Sequence, residues 1–223
     1  MTARESLDYY ETFMNPPAFL AGIMTKAFAQ RNVYINYWSG TKDPLKGGLA
    51  MELSGKRIAI LIEDIYNEFE FWYPYYRMKE AGAQVTVVGT GAKEYHSKVG
   101  LPAPGGTNVQ SVSASDFDAV IVPGGYAPDR MRRHPALLKL VKDSFDQGKI
   151  VAAICHAGWV LVSAGILKGK RATCFSSIKD DVINAGAKYV DQEVVRDDNL
   201  ITSRTPDDLP AFCREIIAAL VKK

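Results

Sequence analysis

Only three cysteines, Cys155, Cys174 and Cys213, occur in the 223 residues. So sparse and odd a set excludes a disulfide framework and suits a reducing compartment. No two stand at CxxC spacing, and no Cys/His cluster has the spacing of zinc ligands, so neither a metal nor another resident cofactor is expected. Long hydrophobic runs are also missing. Nothing approaches the ~20 apolar residues of a membrane-spanning helix. The longest apolar run near the N-terminus, Ala18–Met24, follows Arg4, Glu5, Asp8 and Glu11 and does not read as a secretory leader, so a cytoplasmic location is expected and a membrane partner is not. Charge of one sign is scarce as well. Lys and Arg number 27 against 25 Asp and Glu, for a net charge of +2. The densest basic cluster, Arg130, Arg132 and Arg133, is too small to track a phosphate backbone, which excludes nucleic acid as an expected partner.

What is present suits one α/β domain with an appendage. Hydrophobic residues make up 47% and charged residues 23%, enough for a sizeable core. Residues 1–55 differ from the rest and read as a separate arm, with Pro16-Pro17, several aromatics, some expected helical character over Met14–Gln30 and a Gly47-Gly48 exit. The arm offers no catalytic chemistry and reads as a segment that packs on the body or on another subunit, or as a lid.

From Lys56 onward, buried strands alternate with helices. Ile58–Ile62, Val85–Val88, Asp118–Val122 and Ile150–Ile154 are apolar runs of the kind that form strands covered on both faces. Helices are expected over Glu68–Ala81 (stopped by Gly82), Pro135–Gln147, Ala157–Ala164 (stopped by Gly165), Ile178–Ala185 and Asp207–Val221. Asp207 or Asp208 is placed to cap the last of these. A hairpin is expected around Asp197-Asp198-Asn199. This alternation implies a mostly parallel sheet whose ligands bind at the carboxyl ends of the strands. Glu63-Asp64, Pro123-Gly124-Gly125 and Cys155-His156 all fall at such ends. The acidic Glu63-Asp64 after the first strand would repel phosphate, which argues against a flavin- or nucleotide-binding module.

The segment Ile150-Val-Ala-Ala-Ile-Cys155-His156-Ala157-Gly158-Trp159 carries the chemistry. An apolar strand meets a helix with almost no loop, and small residues let the chain turn tightly, so a nucleophile at Cys155 would be pushed out above the sheet. The helix N-terminus favours a thiolate there. The alternative is that Cys155 is a small buried filler, the usual fate of free cysteine. The backbone N–H of His156 and that of Gly125 are the candidate oxyanion donors, each worth roughly 3 kcal/mol in such sites. His156 is also a structural histidine on the bland reading. Cys174 and Cys213 read as fillers.

Ala153-Ile-Cys155-His156 after a buried strand, Pro123-Gly-Gly-Tyr-Ala-Pro128-Asp129-Arg130 before it, and Glu68-Phe-Glu70 leading to Tyr73-Pro74 resemble the DJ-1/PfpI superfamily. The likeness is closer to its PfpI branch, which Ile178-Lys179-Asp180-Asp181 to Ala185-Gly186 and Ser203-Arg204-Thr205-Pro206 also fit. It covers about residues 56–221 and leaves out 1–55, which sets the expected domain at 56–223. The resemblance implies a flavodoxin-like three-layer sandwich, similar to class I glutamine amidotransferases, with Cys155 as nucleophile. It implies that Glu70 lies against the sulfur, kept protonated by burial. It further implies that His156 partners Cys155 and that Asp129, where the branch is similar to a Glu, orients the imidazole from a neighbouring subunit. A homo-oligomer (dimer, trimer or hexamer) would follow. Thr173-Cys174-Phe175-Ser176 replaces the stretch where the human-type branch carries a His, which favours PfpI-like chemistry.

The function implied is a cysteine-dependent enzyme acting on carbonyl compounds, a glutathione-independent glyoxalase or deglycase. Two alternatives stand beside it. One is a peptidase or amidase, which would need an open groove. The other is a redox-sensing or chaperone-like stress protein whose cysteine oxidises to a sulfinic acid.

Overall fold

The computed structural model describes residues 51–222. The arm expected over residues 1–55, including its helical stretch at 14–30, lies outside the described residues except for its last five. Among the described residues, no helix is long and apolar enough to cross a membrane.

The chain begins with β1 (Arg57–Leu61), α1 (Glu68–Glu80) and β2 (Gln84–Gly89). Three short strands follow: β3 (Glu94–His96), β4 (Pro102–Pro104) and β5 (Thr107–Asn108). Next come β6 (Ala119–Val122), α2 (Ala127–Met131), α3 (Pro135–Asp146), β7 (Ile150–Ile154) and α4 (Gly158–Ala164). The rest is β8 (Arg171–Ala172), α5 (Lys179–Asn184), β9 (Lys188–Tyr189), the pair β10 (Val194–Asp197) and β11 (Leu200–Ser203), and α6 (Leu209–Val221).

Seven strands form one sheet in the order β10-β11-β7-β6-β1-β2-β5. All its pairings are parallel except that of β10 with β11. The central strands β6 and β7 are buried at every position, because helices cover both faces and leave no side for polar residues. Helices α1 and α6 pack together, and α2, α3, α4 and α5 form a second group. This is the mostly parallel sheet expected from the alternating runs, within the layered α/β sandwich that the resemblance implies.

Local chemistry sets the element ends. Asn67 caps α1 by accepting the N–H groups of Phe69 and Glu70, and α1 stops at Ala81 before Gly82, whose φ of 93° suits glycine. The cap expected at α6 is absent. Asp208 occupies the N-cap position without a capping hydrogen bond, because Arg204 takes both its carboxylate oxygens, Nε at 3.0 Å and Nη2 at 3.1 Å. A charge-assisted fork outcompetes the neutral backbone donors.

The sheet order positions the site. From β1 the chain crosses to β2 on one side, while β6 lies on the other. The crevice at such a reversal collects the loops after β1, β6 and β7. Those loops begin at Ile62, Pro123 and Cys155.

Candidate active site

Strand β7 runs directly into a single 3-10 turn, Cys155–Ala157, and then into α4. Cys155 is left at φ 62°, a left-handed conformation that an L side chain adopts only when the surroundings impose it. Here they do. The Cys155 carbonyl accepts the Phe175 N–H at 3.3 Å, and the turn must clear β6 on one side. The turn is closely packed at Gly158, where a Cβ would lie 2.9 Å from Ile178 Cδ1. A second residue in the same conformation, Ile65 at φ 65°, stands after β1. Its carbonyl accepts the N–H groups of Tyr126 at 2.9 Å and Ala127 at 3.2 Å, which fastens the β1 and β6 loops to each other.

Glu70, in the first turn of α1, points inward and is fully buried. Its Oε2 accepts the Gly124 N–H at 2.8 Å, and its Oε1 has no hydrogen-bond partner. The carboxyl also faces the Cys155 thiol. Burial raises its pKa from 4.5 to about 7, against the opposing pull of the Gly124 N–H and the thiol. An orphaned buried oxygen is the natural seat for the extra proton. Glu70 is therefore not the helix-surface glutamate its sequence position alone would allow.

The thiol departs from expectation. Cys155 is only 7% exposed, not presented openly above the sheet. Burial first, and then the charge of Glu70, push its pKa up to about 12. The N–H groups of His156 and Gly125 both face the sulfur and pull the other way without overcoming this. Loss of solvation outweighs the two dipoles that were expected to ionise it. The part of the rise due to Glu70 requires that carboxyl to be ionised, and it disappears when Glu70 takes its proton. The two N–H groups are those expected to serve as oxyanion donors.

His156 Nδ1 lies 3.2 Å from Cys155 Sγ. The imidazole stacks on Phe175 at a centroid distance of 4.8 Å and meets the Trp159 ring edge-on at 5.3 Å. Burial among these rings pulls its pKa below the ordinary imidazole range, so it is neutral at pH 7. Its outer nitrogen, Nε2, lies 3.2 Å from Ser177 Oγ, a contact the sequence reading missed. No local pattern signals it, because Ser177 is brought there by the return of the chain after β8.

The chain brings Cys155, His156, Glu70 and Gly125 together. No hydrogen bond or ion pair joins the Asp129 carboxyl to them among the described residues. Asp129 is exposed on α2, and its carboxyl has no partner among the described residues. Cys174 and Cys213 are each 1% exposed, and burial pushes both thiols up to about 12, as suits packing residues.

Three comparisons bear on this geometry. The DJ-1/PfpI family profile matches residues 56–219. A Pyrococcus abyssi protein named a deglycase is 42% identical over 164 residues, covering 74% of this chain and 99% of that one. The deglycase PfpI of Pyrococcus furiosus is 39% identical over 170 residues, with 74% and 99% covered. Among solved structures, a two-domain protein from Anabaena variabilis with DJ-1/ThiJ/PfpI-like and ferritin-like domains matches at TM-score 0.73 and 44% identity. That match covers 74% of this chain and 48% of the other, so the chain spans about half the length of that protein.

Proposed function

This chain belongs to the DJ-1/PfpI family, in its PfpI-like branch, and on that premise we propose that it is a cysteine-dependent enzyme acting on small 2-oxoaldehydes or on glycated groups of the same oxidation level. The observation that carries the proposal is the strained Cys155, with an imidazole nitrogen 3.2 Å from its sulfur and a buried carboxyl facing it.

The geometry supports the following roles. In the resting site the sulfur holds its proton and the imidazole is neutral. As an aldehyde carbon reaches the sulfur, the thiol proton passes to His156 Nδ1 and a C–S bond forms. The carbonyl oxygen becomes an alkoxide, which the Gly125 and His156 N–H groups stabilise. With methylglyoxal, this adduct rearranges by moving a proton from the aldehyde carbon to the neighbouring ketone carbon, giving a thioester of lactate. Glu70, titrating near neutrality, is suited to take and return a proton here. Water then cleaves the thioester, so methylglyoxal and one water become lactate with no external oxidant or reductant. Asp129 is assigned to a second copy of the chain, where its negative charge would stabilise the imidazolium of its neighbour.

A nearly covered sulfur suits a small carbonyl better than an extended peptide. The test is lactate formation from methylglyoxal without glutathione. Wild type is expected to be active and Cys155→Ala inactive, and equal rates in the two would remove this reading. Fluorogenic peptide cleavage that depends on Cys155, in the absence of lactate formation, would favour the peptidase reading instead.

A further inference from the structure

We propose that Ser177 is a positioning residue for His156, its hydroxyl oxygen accepting the Nε2–H and leaving Nδ1 free to take the proton of Cys155. This rests on the reading of Cys155 and His156 as the reacting pair.

A neutral imidazole carries one N–H, and the partner of one nitrogen decides the state of the other. Nδ1 faces the sulfur at 3.2 Å, so it can act as a base only when the hydrogen sits on Nε2. That hydrogen then needs an acceptor. Among the described residues, the side-chain oxygen within hydrogen-bonding reach is Ser177 Oγ at 3.2 Å. The same contact remains useful after proton transfer. The imidazolium then has two N–H groups, with the thiolate on one side and Ser177 on the other.

Three anchors hold Ser177 in place. The Phe175 N–H donates to the Cys155 carbonyl at 3.3 Å, and the Phe175 ring stacks on the imidazole itself. Ile178, 1% exposed, packs against the bare backbone of Gly158. The Trp159 Nε1–H donates to Asp181 Oδ2 at 2.8 Å, tying α4 to α5 just beyond the serine. Ser177 is thus fixed to the turn it serves from both sides, although its own side chain is exposed. Among the described residues, the other polar or charged groups around the imidazole are Cys155 with Glu70 behind it, the Tyr126 ring at 6.3 Å, and Asp181 and Arg132 beyond Trp159; the proposed assembly would add the negative charge of Asp129 from a second copy.

The experiment compares full-length wild type, Ser177→Ala and Ser177→Thr in two assays. One is the steady-state rate on methylglyoxal. The other is the pH dependence of Cys155 alkylation by iodoacetamide, located by peptide mass, which needs no substrate. Ser177→Ala is expected to lower kcat roughly 2- to 10-fold, the loss of one hydrogen bond, with KM unchanged. It is also expected to move half-maximal alkylation to higher pH, because the imidazolium that accompanies the thiolate has lost its outer acceptor. Ser177→Thr, which keeps the hydroxyl, is expected to stay within about twofold of wild type. Matching values for Ser177→Ala and wild type in both assays would overturn the proposal, and so would a Ser177→Thr as impaired as Ser177→Ala. If lactate formation proved independent of Cys155, the functional reading would fall, and the alkylation profiles would still decide the role of Ser177.

Discussion

Glu70 Oε2 accepts the Gly124 backbone N–H at 2.8 Å, and this bond ties the first turn of α1 to the loop after β6 beside Cys155. The bond requires residue 124 to have no side chain. A Cβ there would lie 2.5 Å from Glu70 Oε2 and 2.9 Å from Cys155 Cβ. Gly124→Ala is therefore expected to displace the carboxyl or the cysteine. We expect kcat/KM for methylglyoxal to fall at least tenfold, with a stability cost of about 1–3 kcal/mol from overpacking. Kinetics at a temperature where the variant is folded, paired with urea unfolding, check both parts.

Glu70 also makes stability depend on pH. Its carboxyl titrates at 4.5 when unfolded and about 7 when folded. Below 4.5 both states hold the proton. Between the two values the folded state keeps a proton that the unfolded chain has released, so stability falls as pH rises, and above 7 the loss is complete. The full loss is roughly 3 kcal/mol at ~1.36 kcal/mol per unit. Glu70→Gln has no such proton. Urea unfolding at pH 5 and pH 8 is expected to show wild type losing roughly 2–3 kcal/mol more than Glu70→Gln over that interval. Parallel losses in the two proteins would mean that the carboxyl is not held protonated.

The parts of this site that were legible in the sequence are those built from neighbouring residues. The apolar run Ile150–Ile154 entering Cys155 and His156 signals a buried strand and a sharp turn, and the structure has both. Glycine after each helix marks where α1 and α4 end. Contacts made by the returning chain were not legible. Ser177 meets His156 where the returning chain is fastened to the turn, with Phe175 held to the Cys155 carbonyl across 20 residues of sequence. The strands β3 and β4 escaped notice because Glu94–His96 and Pro102–Pro104 are too short and too polar to show a period. The state of the thiol escaped for a different reason. Sequence shows the helix dipole that would lower its pKa, but not the burial that raises it further.

Asp129 supports a prediction about assembly. Its carboxyl has no hydrogen bond or ion pair among the described residues, and in the proposed mechanism it acts on His156 of a second copy. Cys155→Ala and Asp129→Asn are each expected to be impaired alone. Mixed under conditions that exchange subunits, they should regain activity, because some sites then combine an intact cysteine with an intact acid. A mixture no more active than the average of its parts would show that Asp129 does not act across subunits.

The most direct test of the account is to catch the bond to sulfur. Wild-type protein turning over methylglyoxal is quenched in acid within the first turnovers, digested and mapped by mass. The account predicts a mass increase equal to one methylglyoxal on the peptide containing Cys155, absent from the peptides containing Cys174 and Cys213 and absent from Cys155→Ala. Continued lactate production with no adduct on Cys155, or with the adduct on another residue, would contradict it.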